Sequence, residues 1–233
     1  MREVSESGYR LIGHGVNTIP EAARLTRIAA PRIRRWLRGY EHRIGGELRR
    51  SPPMIQPTFG LIDGMVAISF LDLVEIRFIN AFVEQGVTWA YLRKAHERAV
   101  EIVGHFRPFS TRTFKTDGRR ILTEIVGTCG SCSTLDVGAG QLGFWPMIAP
   151  FYKQLDFDAD EASRWWPHAD RKVVIDPQRS FGQPIVARDG IPTRTLYRAY
   201  LAENQEIGEV ASCYGISRHS VRSAVEFEER LTA

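Results

Sequence analysis

Two stretches carry residue types whose spacing could do chemistry. The first is "CGSC", with Cys129 and Cys132 at the spacing of a metal or redox pair. A tetrahedral zinc site needs four ligands, and neither a second CxxC nor a paired histidine set accompanies this one. His105 and His168 stand at no motif spacing. A redox CxxC opens a helix in a βαβ context, whereas this one lies in a Gly/Ser-rich segment after a strand-like run. Free thiols in a loop are expected. The second stretch is "LDVGAGQLG", where Gly138, Gly140 and Gly143 form a bare GxGxxG. A nucleotide or S-adenosylmethionine fold needs a helix after those glycines, an acidic residue ending the next strand, and several further βα units. Only the 90 residues from 144 to 233 remain, and Pro146 and Pro150 interrupt the segment where the helix would stand. The glycines are read as a turn. The histidines (His14, His42, His96, His105, His168, His219) are scattered, and no Ser/His/Asp or Cys/His set has a recognisable spacing. The chain is therefore expected to be no enzyme, with no catalytic residue, cofactor or metal.

The arginines carry more. The net charge is +4, but residues 1–50 hold 11 Arg against 5 Asp/Glu, about +6, which leaves about −2 for the rest. Of the 31 basic residues, 27 are Arg. Arg makes forked hydrogen bonds to phosphates and to guanine edges. Base composition of a GC-rich genome explains Arg over Lys as readily, but it does not explain the clustering. A polyanion partner is expected. Three cysteines are too few for a disulfide scaffold, no run has the length of a membrane span, and "MREVSESGYR" lacks a signal-peptide stretch. A bacterial cytoplasmic protein without membrane contact is expected.

Those arginines need elements to position them. In "NTIPEAARLTRIAAPRIRRWLRGY" Thr18 caps a helix, with Glu21 completing a capping box and Ile19, Ala22, Ala23 and Leu25 as its apolar face. A break at Thr26 to Ile28 precedes a second helix over 29–37, with Ile33, Trp36 and Leu37 inward and Gly39 as its stop. Arg32, Arg34, Arg35 and Arg38 then fan over the opposite face, as a recognition helix requires. The Gly/Pro-rich segment that follows reads as a small β-wing with Arg49 and Arg50 near its tip. Two longer helices come next, capped by Ser69, with Asp72, and by Thr88. "PFSTRTFKTDGRRILTEIVG" alternates around Asp117-Gly118 and predicts a hairpin with Lys115, Arg119 and Arg120 at its tip. The apolar "FWPMIAPFYKQL" is expected to pack on a neighbouring domain or subunit. Short strands are expected at 173–175 and 185–186, then a helix capped by Thr193. A last helix pair turns at Gly215 and is capped by Ser217. Its inward residues are Val221, Ala224, Val225 and Leu231, and Arg218, His219, Ser220 and Arg222 face outward.

The series "TIPEAARLT…APRIRRW…SFLDLVEIRFINAFVEQGVTWAYLRKAHERA", about residues 13–103, resembles the MerR-like winged helix-turn-helix. The resemblance implies phosphate contacts by Arg34 and Arg35, a base contact by Arg32, and wing contacts by Arg49 or Arg50. The wing region is longer than usual and contains Pro52, Pro53 and Pro57. "GQPIV", "GIPTRTL", "IGEVASCYGIS" and "VRSAVEFEE", over about 171–231, resemble a small domain of unknown function that recurs in bacterial antitoxins, although "ARDGIP" departs from its usual turn. In this order the two resemble a VapB-like type II antitoxin. That implies a PIN-like ribonuclease toxin as partner, double-stranded operator DNA as ligand, and repression of its own operon. The expected fold is mainly α with small β elements. Its parts are a winged helix-turn-helix over 1–107, a β-hairpin and linker over 108–165, and a three-helix, helix-turn-helix-like domain over 166–233. Arg38 joins the DNA-binding set. Arg218, His219 and Arg222 form a second candidate contact to DNA or a partner, and a homodimer is expected because operators are usually two-fold. The alternative is a MerR-like transcription regulator without a toxin, whose C-terminal part dimerises the chain or senses a ligand.

Overall fold

Hydroxyl caps start three helices of the N-terminal half. The Thr18 hydroxyl accepts from the Glu21 N–H (3.4 Å) while the Glu21 carboxylate accepts from the Thr18 N–H (2.8 Å), opening α1, Ile19–Thr26. Ser69 and Asp72 repeat the exchange at α3, Phe70–Glu84. Thr88 caps α4, Trp89–Val103. Between α1 and α2 (Ala30–Arg38), Arg27 adopts a left-handed conformation, φ 60°, and ends the first helix. Gly39 ends the second at φ 71°, where a Cβ would collide with the Ser51 carbonyl oxygen. A hairpin follows at once: β1 (Tyr40–Ile44) pairs antiparallel with β2 (Glu47–Ser51). Its two-residue turn is Gly45-Gly46, both at positive φ as such a turn demands. A second, minimal hairpin joins β3 (Leu61–Ile62) to β4 (Met65–Val66).

The computed structural model describes residues 12–62, 64–128, 145–146 and 148–232; the side chains of 44 and 123–128 are outside the description. The chain is mainly helical with small antiparallel sheets. After a 3₁₀ turn at Pro108–Ser110 comes α5, Arg112–Thr128. This corrects the hairpin expected around Asp117-Gly118. Phe114, Ile121 and Leu122 recur at helical spacing and are buried. Gly118 is no turn residue: a Cβ there would stand 2.6 Å from the Trp145 ring, so the glycine admits that ring against the helix. Asp160 holds the start of α5, accepting from the N–H and hydroxyl of Thr113 (2.8 and 2.9 Å). Lys115, Arg119 and Arg120 therefore line the exposed face of a helix rather than a loop tip.

Residues 148–153 are helical, and Ile148 and Tyr152 join the main core of the chain itself. Four strands then form one antiparallel sheet in sequence order: β5 (Leu155–Asp158), β6 (Glu161–Trp165), β7 (Val173–Ile175) and β8 (Pro184–Val186). The last two stand where the sequence places them; the first two occupy part of the segment expected to be linker. The sheet runs across position 165/166, since Trp165 pairs with Ile175. The chain closes with α6 (Thr193–Ala202), α7 (Ile207–Tyr214) and α8 (Arg218–Thr232). Thr193 does not cap α6. Pro192 stands at that position, and the buried Thr193 hydroxyl instead donates to the Glu228 carboxylate (2.5 Å).

One core cluster extends from α1 through α5 and the sheet to Phe227 of α8. Phe109 lies at its centre, with Phe78, Phe82, His96 and Phe114 rings around it. Full burial of each such Phe contributes about 1.5–3 kcal/mol. A smaller cluster around Leu196, Val210 and Val221 joins α6, α7 and α8. Among the described residues no helix is long and apolar enough to cross a membrane.

Candidate nucleic-acid interface

Helix α2 is short, and its inner face is fixed by three side chains. Ile33, Trp36 and Leu37 are buried, and the Trp36 ring stacks on Trp89 at 6.0 Å. The Trp36 carbonyl also accepts the N–H groups of Met54 (2.8 Å) and Ile55 (3.2 Å), which ties the chain leaving the hairpin back onto the helix. With that face occupied, Arg32, Arg34, Arg35 and Arg38 are all exposed, and α2 carries no acidic residue. They are not equivalent. Arg32 leans back on α3, donating to Asn80 Oδ1 at 3.1 Å. The Arg35 guanidinium lies over the Tyr40 ring at 5.7 Å. Arg34 and Arg38 stand one helical turn apart on the outward side.

Arg49 and Arg50 are exposed on β2, beside the tip rather than in it; Gly45 and Gly46 make the tip. Strand alternation turns the two arginines to opposite faces of the hairpin. Arg49 is opposite His42 and shares a face with Tyr40, over which Arg35 sits; Arg50 is opposite Glu41. The exposed pair of Arg49 with Glu47 (3.6 Å) is weak.

At the other end, Gly215 makes a left-handed turn between α7 and α8, and the Ser217 hydroxyl accepts from the Ser220 N–H at 3.1 Å. Arg218, His219 and Arg222 are exposed on the start of α8. Arg218 lies against α7, its guanidinium 3.3 Å from where a Gly208 Cβ would stand. The far end of α8 is anchored on α1. Glu228, 2% exposed, accepts from Arg24 at 2.5 Å, and Arg27 donates to the Arg230 carbonyl.

Spacing in the sequence does not single out two buried arginines. Arg107 is held by Asp72 (2.7 Å from Nε) and donates to the Gln56 carbonyl, and Asp72 also accepts from the Thr58 N–H and hydroxyl (3.0 and 2.9 Å). The capping-box position of Asp72 is its only signal, and it predicts the cap but not the salt bridge. Among the described residues no carboxylate pairs with Arg77, and burial lowers its pKa to about 9. Three of the histidines pack or pair. His96 is buried against Glu75 (2.8 Å), and His105 faces Glu161 (3.0 Å). The pKa of His168 is lowered by burial and by Arg230 and Arg27, against Asp170. Among the described residues no group of three or more His, Cys, Asp or Glu is placed to hold a metal. Cys129, Cys132, Gly138, Gly140 and Gly143 lie outside the described residues.

No protein-family model matches the chain. It is similar to a protein of Mycobacterium tuberculosis named "Putative antitoxin VapB45", with 24% identity over 221 residues that cover 90% of this chain and 92% of that one. Its fold is similar to the crystal structure of Rv2018 from Mycobacterium tuberculosis, with a TM-score of 0.69 and 23% identity across 90% of this chain and 96% of that chain. The likeness to the crystal structure is one of fold. The similarity to VapB45 supports an antitoxin-like relationship.

Proposed function

We propose that the chain is a DNA-binding antitoxin of a type II toxin–antitoxin system, which neutralises a PIN-like ribonuclease and represses its own operon. The observation that carries this reading is the similarity, along 90% of the chain, to a protein named as an antitoxin. The face of α2 supports the DNA half. In this reading α1, the left-handed Arg27 and α2 form a MerR-like helix-turn-helix, and β1–β2 is its wing. Arg34 and Arg35 hold phosphates, and Arg32 leaves Asn80 to reach a base edge. Arg49 is the wing contact on the face shared with Tyr40, Arg38 supports the same strand, and Arg50 belongs to the other face. Residues 1–107 are the DNA-binding part, 108–165 the connection and 166–233 the antitoxin-type part, whose Arg218, His219 and Arg222 contact DNA or a partner. The protein acts as a cytoplasmic homodimer without catalysis of its own. A PIN-type ribonuclease gathers carboxylates around Mg²⁺, which an inserted arginine or a covering surface blocks.

Co-expression with the product of the adjacent gene, followed by affinity purification, tests both halves. The expected result is a stable complex without ribonuclease activity that retards the DNA upstream of the pair. Absence of a complex contradicts the antitoxin half, and absence of retardation contradicts the repressor half.

A further inference from the structure

A cleft of about 390 Å³ lies between the α1–α2 turn, α3, β6 and the end of α8. Arg77 of α3 lines it and is only 8% exposed. Its guanidinium is covered by Trp165 at 3.9 Å and Phe151 at 5.0 Å. Nη2 donates to Gln154 Oε1 at 2.7 Å, and Nη1 has no hydrogen-bond partner among the described residues. A buried guanidinium is costly unless a carboxylate pairs with it. Arg107 shows the ordinary solution in this chain, with Asp72 against it. Arg77 has rings on its plane, an amide on one edge, and a donor left over. Burial is the cause of its lowered pKa, in keeping with a cation that lacks a counterion.

The rest of the cleft suits a particular anion. Leu25, Ile28 and Phe227 give it apolar wall, and Arg27, Arg230 and His168 add basic groups. Glu84 is the acidic residue lining it among the described residues, and it opposes a dianion. We propose that this cleft binds a small free monocarboxylic acid with an apolar body, the carboxylate on Arg77 and the body against Leu25, Ile28 and Phe227. An occupant there touches residues 25–28, the turn that places α2. The assignment holds whether or not α2 binds DNA, because occupancy is read directly.

Calorimetric titration of the full chain with acetate, benzoate, phenylacetate and octanoate, each beside its primary amide, tests it. At least one of the three larger acids is expected to bind saturably, about tenfold or more tighter than its amide, the worth of a charge-assisted hydrogen bond. Acetate, which lacks the body, binds more weakly. Arg77→Gln abolishes the difference between acid and amide. Glu84→Gln, an exposed change that spares the core, tightens the acid and leaves the amide unaltered, so the test does not depend on the folding of the Arg77 variant. No binding by any of the acids, equal binding of acid and amide, or acid binding that Glu84→Gln leaves unaltered overturns the proposal.

Discussion

The pair α1–α2 and the pair α7–α8 are built alike. Each begins with an eight-residue helix, turns at a left-handed residue (Arg27 in one, Gly215 in the other), and continues into a helix whose first turns expose arginine. Their outward faces differ. Helix α2 carries four exposed arginines, no acid, and a hairpin with three more exposed arginines (Arg43, Arg49 and Arg50) at its end. Helix α8 exposes Arg218 and Arg222 at its start but then Glu229 with Arg230 and the half-buried Glu226, and its buried Glu228 engages α1. One local grammar of caps, left-handed stops and apolar spacing produces both shapes. What each pair can bind is decided by the charge left on the outer face, and α8 uses part of its length to hold the two ends of the chain together.

Substitutions in the core and at that anchorage separate the two pairs. The largest effect is expected at Arg107, which ties the start of α3 to the segment that follows the first hairpin. Arg107→Ala leaves the Asp72 carboxylate buried and unpaired, at a cost of about 3–5 kcal/mol. Urea denaturation checks this, and a loss under about 1 kcal/mol would contradict the pairing, the scale of an exposed ion pair. Glu228→Ala removes the acceptor of Arg24 and Thr193. Because Arg24 is partly exposed, the loss is smaller, about 2 kcal/mol. A loss equal to that of exposed Glu229→Ala would mean that α8 is not anchored on α1. Arg32→Ala is expected to relax preference at one base pair of the operator, by about 1–3 kcal/mol. Competition with single-site variants of the DNA detects it, and uniform weakening across all of them would make Arg32 a phosphate contact.

The smallest effect concerns His168, beside Phe227 of α8. Burial, with Arg230 and Arg27, holds its pKa below the usual 6.5. Its neutral form is the one favoured in the folded chain, so protonation opposes folding, and its contribution to stability is lost as pH falls from 6.5 through the lower folded value. Asp170 works the other way, and Asp170→Asn should lower the His168 midpoint further in an NMR titration. A rise on that substitution would contradict the favourable interaction of Asp170 with the protonated ring.

Particular residues show how far the sequence reaches. The caps at Thr18, Ser69 and Thr88 and the inward triad Ile33, Trp36 and Leu37 are legible because each is a local rule acting within one or two turns. The helix α5 is not, because Asp117-Gly118 carries the strongest short-range hairpin signal, and the glycine answers above all to the distant Trp145 ring. Strands β5 and β6 escape the reading although "LDFDADEASRW" holds the cue: Leu155 and Phe157 alternate before a tight turn with Ala159 at φ 47°, and Ala162 and Trp165 are buried after it. The exposed arginines of α2 follow from the triad. Arg32 against Asn80 and Arg107 against Asp72 are pairings over 35 or more positions, Arg77 has no carboxylate partner among the described residues, and spacing encodes none of this. The roles of the arginines at DNA rest on the resemblance and on charge.

The contrast between the two helix pairs comes down to a salt titration. Binding of the upstream DNA would be followed by fluorescence anisotropy over a series of salt concentrations. The native chain would be compared with Arg34→Ala/Arg35→Ala in α2 and with Arg218→Ala/Arg222→Ala in α8. The α2 variant should weaken binding on every sequence and flatten the dependence of log K on log salt by about two units, close to one for each phosphate that is no longer neutralised. The α8 variant, which keeps the arginines of α2, should change that slope less than the α2 variant does. An unaltered slope in the α2 variant, or an equal change in both, would contradict the account.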